Sequence, residues 1–223
     1  MGQHGPYDGL GDEHLPGSRG EHVLQGLFST RERALRFYNR QVSDHLTAEM
    51  REFVARQEMV FVGTSDSRGN CDTSFRAGPP GFVRVLEPSR LIYPEFRGNG
   101  VFASMGNIME NPHVSLLFVD FFEDRVGLHV NGSASITTAY DAARRHGLVD
   151  EDQTAPGRRA DRWVVVEVEE AYIHCSKHIP LLARQDRRTL DGQARRPAGD
   201  DHFGVSRMRS LGKEREGAGR SAE

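Results

Sequence analysis

The stretch FRGNGVFASMGNIMENPHVSLLFVDF, residues 96–121, sets an arginine and a glycine-flanked asparagine directly before a run that reads as a helix. A helix opening after Arg97-Gly98-Asn99-Gly100 points its unpaired first-turn N–H groups, and the positive end of its dipole, into the preceding loop. An anion is the guest such a terminus holds best. The plainer alternative is a loop in which Asn99 or Ser104 only caps the helix. Other chemistry-bearing residues are sparse. His174, Cys175 and His178 fall close together, but on a strand end neighbouring side chains go to opposite faces, so no metal site is expected. Cys71 and Cys175 are the only cysteines, too few for a disulfide framework and not spaced for zinc, and are read as reduced packing residues. No GxGxxG joins a strand to a helix, and GNGVFASMGN lacks the Gly-Lys-Ser/Thr ending of a Walker A loop. A Rossmann or P-loop site is therefore not expected.

The elements that must position this loop are mostly strands. Residues 1–20 are rich in Gly, His and charge and suggest a mobile arm, or one ordered only against a partner. Two amphipathic helices are predicted within 29–57: STRERALRFYNRQ, capped by Ser29 or Thr30, and DHLTAEMREFVARQ, with Leu46, Met50, Phe53 and Val54 at helical spacing. From residue 58 the period changes. EMVFVGTSDSRGNCDTSF, GFVRVLEPSRLIYP and HVSLLFVDFF…LHVNGSASITT read as three hairpins, with a helix ending at about Glu110 before Asn111-Pro112. AYDAARRHGLV is a short helix stopped by Gly147, and RWVVVEVEEAYIHCSKH is a long final strand. The expected organisation is an arm and helix over 1–44, a β domain over 45–183, and a disordered or loosely packed tail over 184–223.

Hairpin-linked strands with one inserted helix favour a small closed or half-closed barrel, mainly β (α+β) with peripheral helices. With 29 basic against 32 acidic residues the net charge is −3, which asks for neither nucleic acid nor an anionic membrane as partner. No apolar run approaches the ~18 residues of a membrane span, and MGQHGPYDGLGDEHLPGSRG has no secretory-signal pattern. The expectation is a cytoplasmic protein.

Residues about 45–178 resemble the pyridoxamine 5′-phosphate oxidase-like family of FMN-binding split β-barrels. SFRAGPPGFVRV, YPEFRGNG, ASMGNIMENPHVSLLFVDF and HVNGSA carry the resemblance in the family's order, with HVLQGLF and YIHCSKH as weaker pieces. The resemblance implies a split β-barrel of about six strands and a homodimer that shares flavin sites across its interface, with FMN in each.

The phosphate of FMN carries nearly two negative charges, which guanidinium groups, small hydroxyls and helix-start N–H groups stabilise. Arg76, Arg97, Asn99, Ser104 and Asn107 supply that inventory, and the resemblance sets Arg76 and the Asn99–Asn107 segment beside the phosphate. The ring needs a flat apolar wall, for which Phe82, Val83, Tyr93 and Pro94 are the candidates, with Gly78-Pro79-Pro80-Gly81 bending the backbone toward it. Alternation along a strand allows only one of Phe82 and Val83 to face the ring. Asn107 has a competing role as a partner of nearby backbone.

His129, Asn131, His174 and Lys177 are candidate contacts to the flavin from the second subunit. The chain departs from the pyridoxal-making enzymes: it carries Arg-Ala-Gly-Pro-Pro-Gly-Phe after the second strand where they carry Arg-x-Val-Leu-Leu-Lys, and it ends in a polar tail. Oxidation of pyridoxamine phosphate is therefore not expected. The matched loops hold no Ser/His/Asp or Cys/His set and no spaced carboxylate pair, so the chemistry falls to the cofactor. The expected function is an FMN-dependent oxidoreductase that moves hydride between a nicotinamide or organic substrate and the flavin. The alternatives are a non-catalytic flavin- or haem-binding protein and a deazaflavin F420-dependent reductase.

Overall fold

The computed structural model describes residues 5–96, 98–148, 160–184, 201–203 and 205–206. Residues 1–182 form one compact unit and 183–223 a second. The expectation for the tail falls almost entirely outside the described residues.

Three helices precede most of the sheet. In α1 (Arg19–Leu27), Ser18 Oγ accepts from Glu21 N while the Glu21 carboxylate accepts from Ser18 N, a reciprocal cap of two otherwise orphaned donors. α2 (Arg31–Gln41) follows Thr30, and α3 (Ala48–Arg56) is capped by Thr47, whose hydroxyl accepts from Met50 N. The two helices expected within 29–57 are α2 and α3; α1 was not expected. Its only buried side chain is His22, with Val23, Leu24 and Leu27 exposed, so it lacks the core-facing stripe that marks a helix in sequence. The arm from residue 5 is fastened to α2: Asn39 Oδ1 accepts from Tyr7 N, and Asn39 Nδ2 donates to Asp8. Leu15 is buried.

The strands are β1 (Val42–Ser43), β2 (Met59–Ser65), β3 (Cys71–Ala77), β4 (Arg84–Glu87), β5 (Arg90–Phe96), β6 (His113–Val119), β7 (Gly127–Thr138) and β8 (Ala160–His174), with α4 (Ala103–Glu110) and α5 (Ala139–His146) between them. They form one antiparallel sheet in the order β3-β2-β6-β7-β8-β5-β4, with β1 added beside β8. The three expected hairpins are β2–β3, β4–β5 and β6–β7. Eight strands stand where about six were expected; the strand not read in the sequence is β1, only two residues long.

Alternation sorts the side chains. Val60 and Val62 of β2, Leu116 and Phe118 of β6, Leu128 and Val130 of β7, and Val164, Val166 and Val168 of β8 face inward and build the main core with Leu91 and Tyr93. α5 covers part of the outer face. There Ala142 packs with Ile92, Trp163, Val165 and Leu148 in a second cluster. The apolar run of β8 is thus satisfied on both faces within one chain. At Asn131/Gly132 the β7–β8 register shifts, and a Cβ on Gly132 would lie 1.9 Å from Glu167 O, so only glycine fits this crossing.

Candidate functional site

β3 alternates cleanly, with Asp72, Ser74 and Arg76 on one face and Cys71, Thr73, Phe75 and Ala77 on the other. The first face looks onto a cavity of about 360 Å³, closed by Glu95 and Phe96 of β5, the 98–102 loop, and Ala103 and Ser104 at the start of α4. β3 and β5 are not neighbours in the sheet, so the cavity sits at the split of the barrel.

Two carboxylates hold the donors of this cavity. Arg76 Nη2 lies 2.9 Å from both oxygens of Glu95 and Arg76 Nε 3.1 Å from one of them; the two side chains are 16% and 15% exposed. The pair ties β3 to β5 across the split. Ser104, buried, donates to Asp72 Oδ2 at 3.0 Å and lies 2.9 Å from Ser74 Oγ. The start of α4 is formed by Phe102 in the left-handed region (φ 56°), a conformation costly for a residue with a Cβ, and no side chain caps it. The first-turn N–H groups of α4 thus have no side-chain cap at the cavity edge. Asn99 Oδ1 accepts from Val101 N, so its carboxamide shapes the loop.

The expected site residues divide between two places. Arg76, Asn99 and Ser104 line the cavity together. Arg97 lies outside the described residues. Asn107 does not line it: its Nδ2 donates to Thr64 Oγ1 at 3.0 Å, a structural role, but with a side-chain hydroxyl of β2 and not with the nearby backbone. Phe82, Val83 and Tyr93 are all buried in the main core, with Tyr93 only 1% exposed, so none offers an open wall to a flavin ring. The alternation expected for Phe82 and Val83 does not apply, because both precede β4 in a bend and both turn inward. Burial, then Glu95, push the Tyr93 phenol well above its usual range, against the opposing pull of Arg76. Pro94 is buried opposite Trp163 and, one residue on along β5, faces away from Tyr93.

His129, Asn131 and His174 point to the outer face of the sheet. His129 Nε2 and His174 Nδ1 are 2.9 Å apart, and His129 stacks on Tyr172 with centroids 4.7 Å apart. Burial, then the neighbouring His174, hold His129 below the usual histidine range. Asn131 Nδ2 donates to Glu170, while its buried Oδ1 has no partner. Lys177 is exposed in a one-turn 3₁₀ helix beyond β8. In one chain these four do not line the Arg76 cavity. Among the described residues no three His, Cys, Asp or Glu side chains are placed to share a metal ion. Cys71 and Cys175 are both exposed free thiols, not the packing residues expected, since the strand face of one and the strand end of the other meet solvent.

Asp72, Ser74, Glu95, Val101 and Phe102 line the cavity without having been singled out in the sequence. The period of two that places Asp72 and Ser74 beside Arg76 could have found the first pair. Nothing local could have found Glu95, which reaches Arg76 through the curl of the whole sheet.

The profile of the pyridoxamine 5′-phosphate oxidase family matches residues 46–175, more than half of the chain. The chain belongs to the pyridoxamine 5′-phosphate oxidase-like family. No curated protein matches it significantly. Among solved structures, HupZ of Group A Streptococcus is 22% identical, with 62% of this chain and 99% of that one covered and a TM-score of 0.43. General Stress Protein 26 of Bacillus anthracis is 14% identical, covering 55% and 88%, with a TM-score of 0.40. HutZ of Vibrio cholerae, described as a haem storage protein, is 15% identical, covering 58% and 94%, with a TM-score of 0.38. These likenesses assign no cofactor to the chain. Among the described residues no helix is long and apolar enough to cross a membrane.

Proposed function

We propose that this member of the family is an FMN-dependent oxidoreductase whose cofactor phosphate sits in the cavity at the barrel split. The observation that carries the reading is the convergence of the Arg76 guanidinium, the Ser74 and Ser104 hydroxyls and the uncapped start of α4 on one space of about 360 Å³. A guanidinium fork and a helix start are the donors that suit a phosphate. FMN would supply two-electron hydride chemistry when bound. The protein's part would be to grip the phosphate, orient the ring and exclude water. Phe82, Val83 and Tyr93 are occupied in the core, so the wall for the ring is assigned instead to exposed apolar groups at the cavity rim, Val101 and Phe102, and to a second subunit.

An apolar row on the outer face supports that second subunit. Phe75, Phe61, Leu117, His129 and Tyr172 are register partners across five strands; the Phe61 and Phe75 rings are 5.4 Å apart, and Phe75 remains 52% exposed. The Tyr172 end is covered by Phe37 of α2, whereas the Phe75 end is open. α1 adds exposed Val23, Leu24 and Leu27, and the residue that follows it, Phe28, is exposed as well. Such surface is what a homodimer buries. Sedimentation of the flavin-loaded protein is expected to give a dimer of this 25.0 kDa chain, and a stable monomer with flavin bound would remove the shared site.

The absorption spectrum of the purified protein tests the cofactor. Oxidised-flavin bands are expected, bleached in stopped flow by NADH or NADPH. A haem Soret band or F420 absorption would replace FMN, and flavin that no donor bleaches would make this a binding protein. With no single side chain expected to be essential to hydride transfer, His174→Ala should still be reduced.

A further inference from the structure

We propose that Glu95 is an internal competitor for the anion site: its carboxylate occupies Arg76 until a phosphate group takes its place. The inference rests on the reading of this cavity as a phosphate cradle and adds to it a residue that sets affinity. Arg76 has one fork to give. With Nη2 2.9 Å from each oxygen of Glu95 and Nε 3.1 Å from one, that fork is already filled by a carboxylate of nearly the geometry a phosphate would present. Both partners line the cavity and are largely screened from water, so the pair is not a loose surface contact.

The second donor group is held in the same way. Ser104 gives its hydroxyl proton to Asp72, so the side-chain charges described at the cavity are two carboxylates and one guanidinium. A dianion entering this space meets like charge unless a carboxylate withdraws. Asp72 lies one pair from the β2–β3 turn, opposite Thr64, in a ladder whose register is regular throughout, whereas Glu95 lies where the β5–β8 register shifts, one residue before the end of β5. Glu95 is the carboxylate free to move. Its release would also untie β3 from β5, since the Arg76–Glu95 pair crosses the split, so ligand binding exchanges an intramolecular latch for an intermolecular one.

The test compares full-length wild type, Glu95→Gln and Glu95→Asp for binding of FMN, riboflavin and inorganic phosphate. Removing the competing charge is expected to tighten FMN about tenfold, the equivalent of one charge-assisted contact. Riboflavin, which has no phosphate, should bind all three proteins alike. Glu95→Asp, which keeps the charge on a shorter stem, should fall between the two. Without ligand, Glu95→Gln should melt lower than wild type, and tighter binding by a less stable protein is a result that structural damage does not produce. FMN affinity that is equal or weaker in Glu95→Gln overturns the proposal. If no protein binds any flavin, the cofactor reading falls separately, and phosphate decides the exchange: tighter binding by Glu95→Gln sustains it, and equal or absent binding overturns it.

Discussion

Replacing Arg76 by alanine is expected to weaken FMN binding by about tenfold or more, the equivalent of a charge-assisted contact of roughly 1.5–3 kcal/mol. Two effects add. The guanidinium is lost, and Glu95 is left as an unpaired, largely buried carboxylate facing the space a phosphate would enter. Quenching of FMN fluorescence on titration measures the first. The double variant Arg76→Ala, Glu95→Gln separates the second: it should recover part of the affinity, because the repulsive charge is gone while the missing donor is not. Unchanged affinity in Arg76→Ala would remove Arg76 from the site. An equal loss for riboflavin would show that the variant damages the fold more than the phosphate contact.

Gly132→Ala is expected to have the largest effect on stability. The added Cβ would lie 1.9 Å from the carbonyl oxygen of Glu167 and 3.0 Å from its carbon, so a backbone segment of β8, not a flexible side-chain end, would have to give way. Overpacking of this kind costs about 1–3 kcal/mol when side chains can shift, and the cost here should reach or exceed the top of that range. The bulge at Asn131/Gly132 lies in the longest pairing of the sheet, so the damage would spread to the inward residues Val130 and Ala134. Gly106, inside α4, has open space around its Cβ position, and Gly106→Ala should be neutral or stabilising by up to about 1 kcal/mol. Urea midpoints of the two variants measure the contrast. A Gly132→Ala protein as stable as wild type would mean that β7 and β8 separate at this point.

Strand pairs, loop and helix could be read in advance because their signals are local. Asp66 to Asn70 close the β2–β3 turn through the Asp66 carboxylate, whose hydrogen bonds from Asn70 come first in holding its pKa down to about 2. Gly147 ends α5 in the left-handed conformation expected of it. Inward positions of β2 and β6 follow a period of two that needs no partner to be visible. The motifs around SFRA, YPEFRGNG and ASMGN were enough to name the family. They were also enough to bring Arg76, Asn99 and Ser104 to one place.

What tertiary structure alone decided is which of those groups are free. Phe82, Val83 and Tyr93 have the composition of a ring-binding wall, but the sheet curls so that all three are needed inside the core. The apolar runs of β6 and β8 are absorbed mostly by the barrel interior and α5, and exposed apolar surface on the outer face remains at Phe75 of β3. Asn107 found Thr64, and Arg76 found Glu95, nineteen positions away on a strand that is not its neighbour. Such pairings depend on how far the sheet closes, a sum of small twists over all its strands. Short-range patterns determine the kinds of residues near a site, whereas closure of the barrel decides which of them already hold each other.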